Sequence, residues 1–153
     1  MTRLNFSILV LCSVIIGSCN YEPQNLALNK NIQASNSTSD AGPQYAVDDN
    51  RNTMWNSGMN GAQSIELDLG GDFNIKRFEL LCTTTPPSEP ELEIFIKTKD
   101  NPNYISIIKR TEKIKDWDSL VYYIEKDNVT HVKLTETNNQ SWVALLEFRV
   151  FGN

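Results

Sequence analysis

Six consecutive residues, Ser64-Ile65-Glu66-Leu67-Asp68-Leu69, alternate polar and apolar without a break. That period of two fixes the segment as a strand with one buried face and one wet face. Gly70-Gly71 is expected to end it. The windows Phe73–Cys82, Glu91–Thr98, Tyr104–Lys109, Leu120–Glu125, Thr130–Thr135 and Val143–Phe151 follow, each bounded by clusters of Pro, Asn, Asp or Gly. No helical stretch of about ten residues fits between them. One short helical turn is expected around Pro43–Val47, with Pro43 near its start. Strands at this spacing, uninterrupted by long helices, specify an all-β sandwich or barrel.

The N-terminal residues read differently. Arg3 is followed by an apolar run, Leu4–Ile16, broken only by Asn5, Ser7, Cys12 and Ser13, and then by small residues. This is the layout of a secretory signal. The run is shorter than the ~20 apolar residues of a membrane span. Its ending, I-G-S-C at 16–19, resembles a bacterial lipobox, which implies removal of residues 1–18 and acylation of Cys19. Residues 19–24 are then a lipidated cysteine and short tether, and residues 25–153 are the folded domain. A diacylglycerol plus an N-acyl chain exceeds the two signals needed for stable membrane anchoring. Asn20, where an Asp would signal inner-membrane retention, points to the outer membrane of a bacterial cell envelope. Whether the domain faces the periplasm or the exterior is open.

The formal net charge of −5 becomes −6 when Arg3 leaves with the signal. An acidic chain is a poor match for nucleic acid or for a polybasic grip on anionic lipid. The length suits one domain with one core. Of the three cysteines, Cys12 leaves with the signal and Cys19 carries lipid, so no internal disulfide can form. Cys82, at the end of F-E-L-L-C, is expected to be a small buried hydrophobe.

Tyr45 to Trp55, reading Y-A-V-D-D-N-R-N-T-M-W, packs oxygen donors at spacings that neither helix nor strand requires. Asp48 offers a carboxylate, Asn50 a backbone carbonyl, and Thr53 a carbonyl and a hydroxyl. Six to eight hard oxygens at about 2.3–2.6 Å are what calcium takes, and Glu147 could close such a cage from the far end of the chain. The alternative is a loop that folds without metal, with Asp48 capping the turn and Glu147 hydrogen-bonded to it.

Four blocks occur in order: N-L-A-L-N-K-N-I-Q-A-S at 25–35, A-V-D-x-N-x-x-T-x-W at 46–55, I-E-L-D-L-G at 65–70 and L-E-F-R-V-F-G at 146–152. Together they resemble the discoidin, or coagulation factor V/VIII C-type, domain, a group that includes the family 32 carbohydrate-binding modules. The resemblance runs over roughly residues 25–152 and implies an antiparallel jelly-roll β-sandwich of the galactose-binding-domain type. It implies a structural calcium held by the carbonyls of Tyr45, Asn50 and Leu146, the carboxylates of Asp48 and Glu147, and both oxygens of Thr53. Asp49 stands where such domains usually have Gly; a left-handed backbone there suits Asp better than most residues.

In carbohydrate-binding relatives, loops at one end of the sandwich hold a sugar. A frequent version has a His after the T-x-W Trp, an aromatic three residues on, and an Arg and Asn in the loop after the second long strand. Here those positions read Asn56, Met59 and T-T-T-P-P-S-E-P (83–90), so the galactose-type set is missing. Trp142, in N-N-Q-S-W, is the first candidate for a stacking platform and Trp117, in I-K-D-W-D, the second. The loops 35–40 and 56–62 could supply hydrogen bonds. Trp55 is read as structural, and His131 as a packed or rim residue with no second His beside it.

The function expected is a lipid-anchored, non-catalytic carbohydrate-binding module; the alternative is a protein-interaction or assembly domain using the same loops. The chain offers no nucleophile–base pair or open metal site on which to build an enzyme.

Overall fold

A computed structural model describes residues 23–137 and 141–153. The expected signal, Cys19 and the tether as far as residue 22 lie outside the described residues. Among the described residues, eight strands and one turn of 3-10 helix form: β1 (Gln24–Asn25), β2 (Asn31–Ala34), the turn Pro43–Ala46, β3 (Trp55–Asn56), β4 (Gln63–Cys82), β5 (Glu91–Thr98), β6 (Asn101–Thr111), β7 (Ser119–Thr137) and β8 (Ala144–Gly152). All pairings between them are antiparallel. β1 takes in Gln24, one residue ahead of the expected domain start.

The expected stop at Gly70-Gly71 is corrected: β4 runs through it. Gly70 has φ 72, and its N–H donates to Asp68 Oδ1 at 2.8 Å. The ladder with β7 shifts register between Asp68 and Phe73 without ending. The two windows Leu120–Glu125 and Thr130–Thr135 likewise merge into the single strand β7, with Asn128 at φ 57 between them. Turn-forming residues act here as corners rather than ends, because the ladder with the same neighbouring strand resumes beyond them.

These corners make a two-layer sandwich. The first half of β4 pairs with β2 and with the second half of β7, which pairs with β5, and β5 with β6. The second half of β4 lies between the first half of β7 and β8; β1 and β3 pair with opposite ends of β8. Ile65, Leu67 and Leu69 from one layer and Phe78, Leu80, Phe148 and Val150 from the other are buried in one continuous core that also holds Trp55. The alternation read in residues 64–69 is borne out: Ile65, Leu67 and Leu69 point in, while Ser64, Glu66 and Asp68 are only partly covered. Cys82 is free and buried as expected, and burial pushes its thiol well above the usual range.

Candidate functional site

Two features lie along β8, one beside its middle residues and one at its start. The first is the loop 47–53. Asp49 adopts φ 58, the left-handed conformation anticipated for the position. Asp48 Oδ1 accepts the Asn50 N–H at 2.9 Å, and Asp48 Oδ2 lies 2.8 Å from Thr53 Oγ1. Thr53 Oγ1 is also 2.7 Å from the carbonyl of Asn50. A carboxylate, a hydroxyl and a backbone carbonyl are thereby drawn to one place by a turn of six residues.

Glu147 completes the picture from β8. It is 1% exposed, and neither carboxylate oxygen has a hydrogen-bond partner of normal geometry. Its nearest cation is Arg149, whose Nε lies 3.8 Å from Oε2. Arg149 is already engaged with Asp49 Oδ1 at 2.7 Å. Burial, followed by the negative charges of Asp48 and Asp49, pushes the Glu147 carboxyl up to about 7, against the pull of Arg149 and the Asp49 N–H. A buried carboxylate so loosely compensated is expensive, and a divalent cation between Glu147 and Asp48 would relieve it. The donor set fits a hard oxygen-seeking cation. Among the described residues no group of three or more His, Cys, Asp or Glu side chains converges, so such an ion would rely on backbone and hydroxyl oxygens as well. Asp48 caps the turn as the metal-free alternative requires, and the Asp49 N–H of the same turn acts on the Glu147 carboxylate.

The second feature is a shallow depression of about 180 Å³ lined by Met54, Asn56, Thr83, Thr84, Thr85, Ser141, Trp142 and Ala144. Trp142 is 51% exposed. Its neighbour Val143 is buried and clamped in both directions by Ser57: Ser57 N–H donates to the Val143 carbonyl at 2.9 Å, and Val143 N–H to Ser57 Oγ at 3.1 Å. The indole is therefore held out from a fixed point on the backbone. Asn56 Oδ1 accepts the Gly58 N–H at 2.9 Å, which leaves its NH2 group to face a ligand. Ser141 Oγ donates to the Thr85 carbonyl at 3.3 Å. All eight lining side chains are uncharged.

Of the sequence-derived ligand candidates, Trp142 and Asn56 meet here. Met59 is exposed but does not line the depression; its backbone is tied to the Ser57 hydroxyl. Trp117 sits in the next turn, 56% exposed. Loop 35–40 is largely spent on the fold: Ser35 Oγ binds Gln63, and Asn36 Nδ2 donates to the Ser57 carbonyl. The Asn36 carbonyl and Ser37 hydroxyl take the indole N–H of Trp55, which confirms Trp55 as structural. His131 is a rim residue, with Nδ1 at 3.0 Å from Thr130 Oγ1 and Nε2 at 3.9 Å from Asp68. Sequence reasoning missed Met54, Ser57 and Thr83–Thr85. The pairing of Asn56 with Ala144 is what brings them together, and no local motif announces it.

Comparison with known proteins places the fold. The F5/8 type C domain family matches residues 31–148. No curated protein matched the sequence. Among solved structures, a selenomethionine-labelled mutant of chitosan-binding module 1 from a Paenibacillus sp. IK-5 chitosanase/glucanase is 23% identical, with TM-score 0.72 over 85% of this chain and 99% of that one. Chitosan-binding module 2 of the same enzyme, in complex with chitotriose, is 25% identical, with TM-score 0.69 over 84% and 100%. CpGH89CBM32-5 from Clostridium perfringens, in complex with GalNAc-β-1,3-galactose, is 22% identical, with TM-score 0.69 over 84% and 99%.

Proposed function

The chain belongs to the F5/8 type C domain family, and from that premise we propose that it is a non-catalytic glycan-binding module, lipid-anchored through Cys19 in a bacterial cell envelope. Trp142 carries the reading. A half-exposed indole stands over a depression that also presents the Asn56 amide and three threonines. An aromatic face covers the apolar side of a sugar ring while amide and hydroxyl groups meet its hydroxyls. The depression is smaller than the roughly 300–1,000 Å³ of pockets that engulf small molecules. A ring would lie on it rather than in it. The neighbouring modules described with chitotriose and with GalNAc-β-1,3-galactose bring the same class of ligand to this fold.

The loop 47–53 and Glu147 hold a calcium ion in this reading, with Tyr45, Asp48, Asn50, Thr53, Leu146 and Glu147 as its ligands. The ion supplies structural order and no chemistry. Because β3 begins two residues after Thr53, the ion would also fix Met54 and Asn56. The lipid anchor on Cys19 assigns the protein to the envelope, in the outer membrane given Asn20.

A glycan array probed with soluble protein beginning at Asn20, calcium present, tests the proposal. Reproducible hits that disappear in Trp142→Ala are expected. A blank from folded protein would redirect the same loops to a protein partner.

A further inference from the structure

Trp117 has a feature that packing does not explain. It adopts φ 64, a conformation that a bulky L-residue occupies only under constraint. The constraint is visible on both sides. Asp116 Oδ1 accepts a hydrogen bond from the Thr83 hydroxyl. Asp118 Oδ2 accepts the Lys115 N–H at 3.0 Å, and the Asp118 carbonyl accepts the Cys82 N–H at 2.8 Å. The turn is thus pinned tightly, yet its indole is 56% exposed. A strained residue held in place while its large apolar side chain faces solvent points to a use outside the fold.

Strand order says where that indole stands. Across this end of the layer, the Trp117 turn abuts β4 through Cys82. Thr83 abuts Ala144 of β8 through its N–H at 3.3 Å, and Ala144 is paired with Asn56 of β3. The backbone flanking Trp117 is therefore two strand spacings from that flanking Trp142, about 10 Å, a span longer than one hexose ring. Thr83 sits between them. It bonds Asp116 with its side chain and lines the depression beneath Trp142. The carboxylates of Asp116 and Asp118 are both occupied by the turn's own hydrogen bonds. Both carboxylates accept these bonds as anions, and the uncharged lining is that of the depression beneath Trp142.

We propose that Trp117 and Trp142 are the two platforms of one extended site that grips an internal stretch of an uncharged polysaccharide, rather than a single terminal sugar. The inference rests on the glycan reading above and specifies its ligand: several consecutive rings, without carboxylate or sulfate groups, since the side chains lining the depression beneath Trp142 carry no charge that would pair with them.

The test is affinity electrophoresis of the soluble protein beginning at Asn20 through gels containing galactomannan, xyloglucan or soluble starch, with alginate as the anionic control. The monosaccharides of each polymer serve as competitors. Wild-type protein should be retarded by at least one neutral polymer and not by alginate, and the free monosaccharides should compete at least a hundredfold more weakly than the polymer. Asn tolerates a left-handed backbone, so Trp117→Asn removes the indole without straining the turn. It should weaken retardation about tenfold at an unchanged melting temperature, and Trp117→Phe should restore most of it. Trp117→Asn binding like wild type, or monosaccharides competing as well as polymer, overturns the extended site while Trp142→Ala still loses binding. Retardation by alginate alone overturns the neutral ligand. Retardation unaffected by Trp142→Ala overturns the extended site while glycan binding stands, and no retardation by any polymer overturns the glycan reading and this inference with it.

Discussion

Replacing Glu147 by glutamine tests the cation loop by the sign of its effect. A carboxyl whose pKa is raised in the folded protein binds its proton more tightly there than in the unfolded chain. The fold therefore loses stability as pH rises from the ordinary value of 4.5 to about 7, and the loss is complete above that. The interval corresponds to roughly 3 kcal/mol, which for a domain of this size is about 10 °C in melting temperature. In EDTA at pH 7.5, Glu147→Gln keeps the shape and sheds the charge, so the variant should melt higher than wild type by up to that amount. Below pH 4.5, where wild-type Glu147 is protonated, the two should melt together. With millimolar calcium the order should reverse: wild type gains about 4.1 kcal/mol at a calcium concentration about one thousand times the dissociation constant, while the variant, short of one carboxylate, gains little. Thermal melts across pH 4–8 in EDTA and in calcium measure all four corners. A variant that melts lower than wild type in both buffers, with no crossing, refutes the argument that Glu147 is a buried charge poorly compensated without a cation.

Asp48→Ala removes the acceptor of the Asn50 N–H and the partner of the Thr53 hydroxyl; it should lower stability in EDTA by about 1 kcal/mol and erase the response to calcium in differential scanning calorimetry. Trp142→Ala should abolish glycan-array signal while shifting the melting temperature by no more than about 2 °C, because a half-exposed side chain contributes little to the core. Ser57→Ala leaves the buried Val143 N–H without its acceptor, so urea unfolding should report a loss of about 1–3 kcal/mol, with weaker glycan binding as the Trp142 backbone loosens. Phe148→Ala opens the centre of the core beside Phe78 and should cost about 3–5 kcal/mol in the same assay.

The strands were legible because each alternates against a single core, and Glu91–Thr98 appears with the bounds read from the sequence. What pattern could not show was continuity. Gly70-Gly71 has the composition of a turn, and only the ladder resuming beyond it with the same partner strand reveals a corner. The cation loop was legible in its oxygens, and even in the left-handed Asp49, because a tight turn must satisfy its backbone locally. The depression was half legible. Trp142 and Asn56 stand near motif positions, but the threonines beneath them come from a loop 27 residues after Asn56 that reaches the site only because β4 and β3 both flank β8. The polar residues of loop 35–40 look free in sequence; their partners, Gln63, Ser57 and Trp55, are fixed by tertiary folding.

The short ladder between β1 and the last two residues of β8 sets a mechanical polarity. β8 starts beside Trp142 and ends against Gln24, so anything attached ahead of Pro23 leaves the domain about 26 Å from the indole, at the opposite pole. A module held at that pole and pulled by a bound polymer at the other carries the load lengthwise. β1 is antiparallel to β8, so tension draws it along the strand axis, and the Leu26 N–H to Val150 carbonyl and Val150 N–H to Asn25 Oδ1 bonds bear it in shear together rather than peeling one after another.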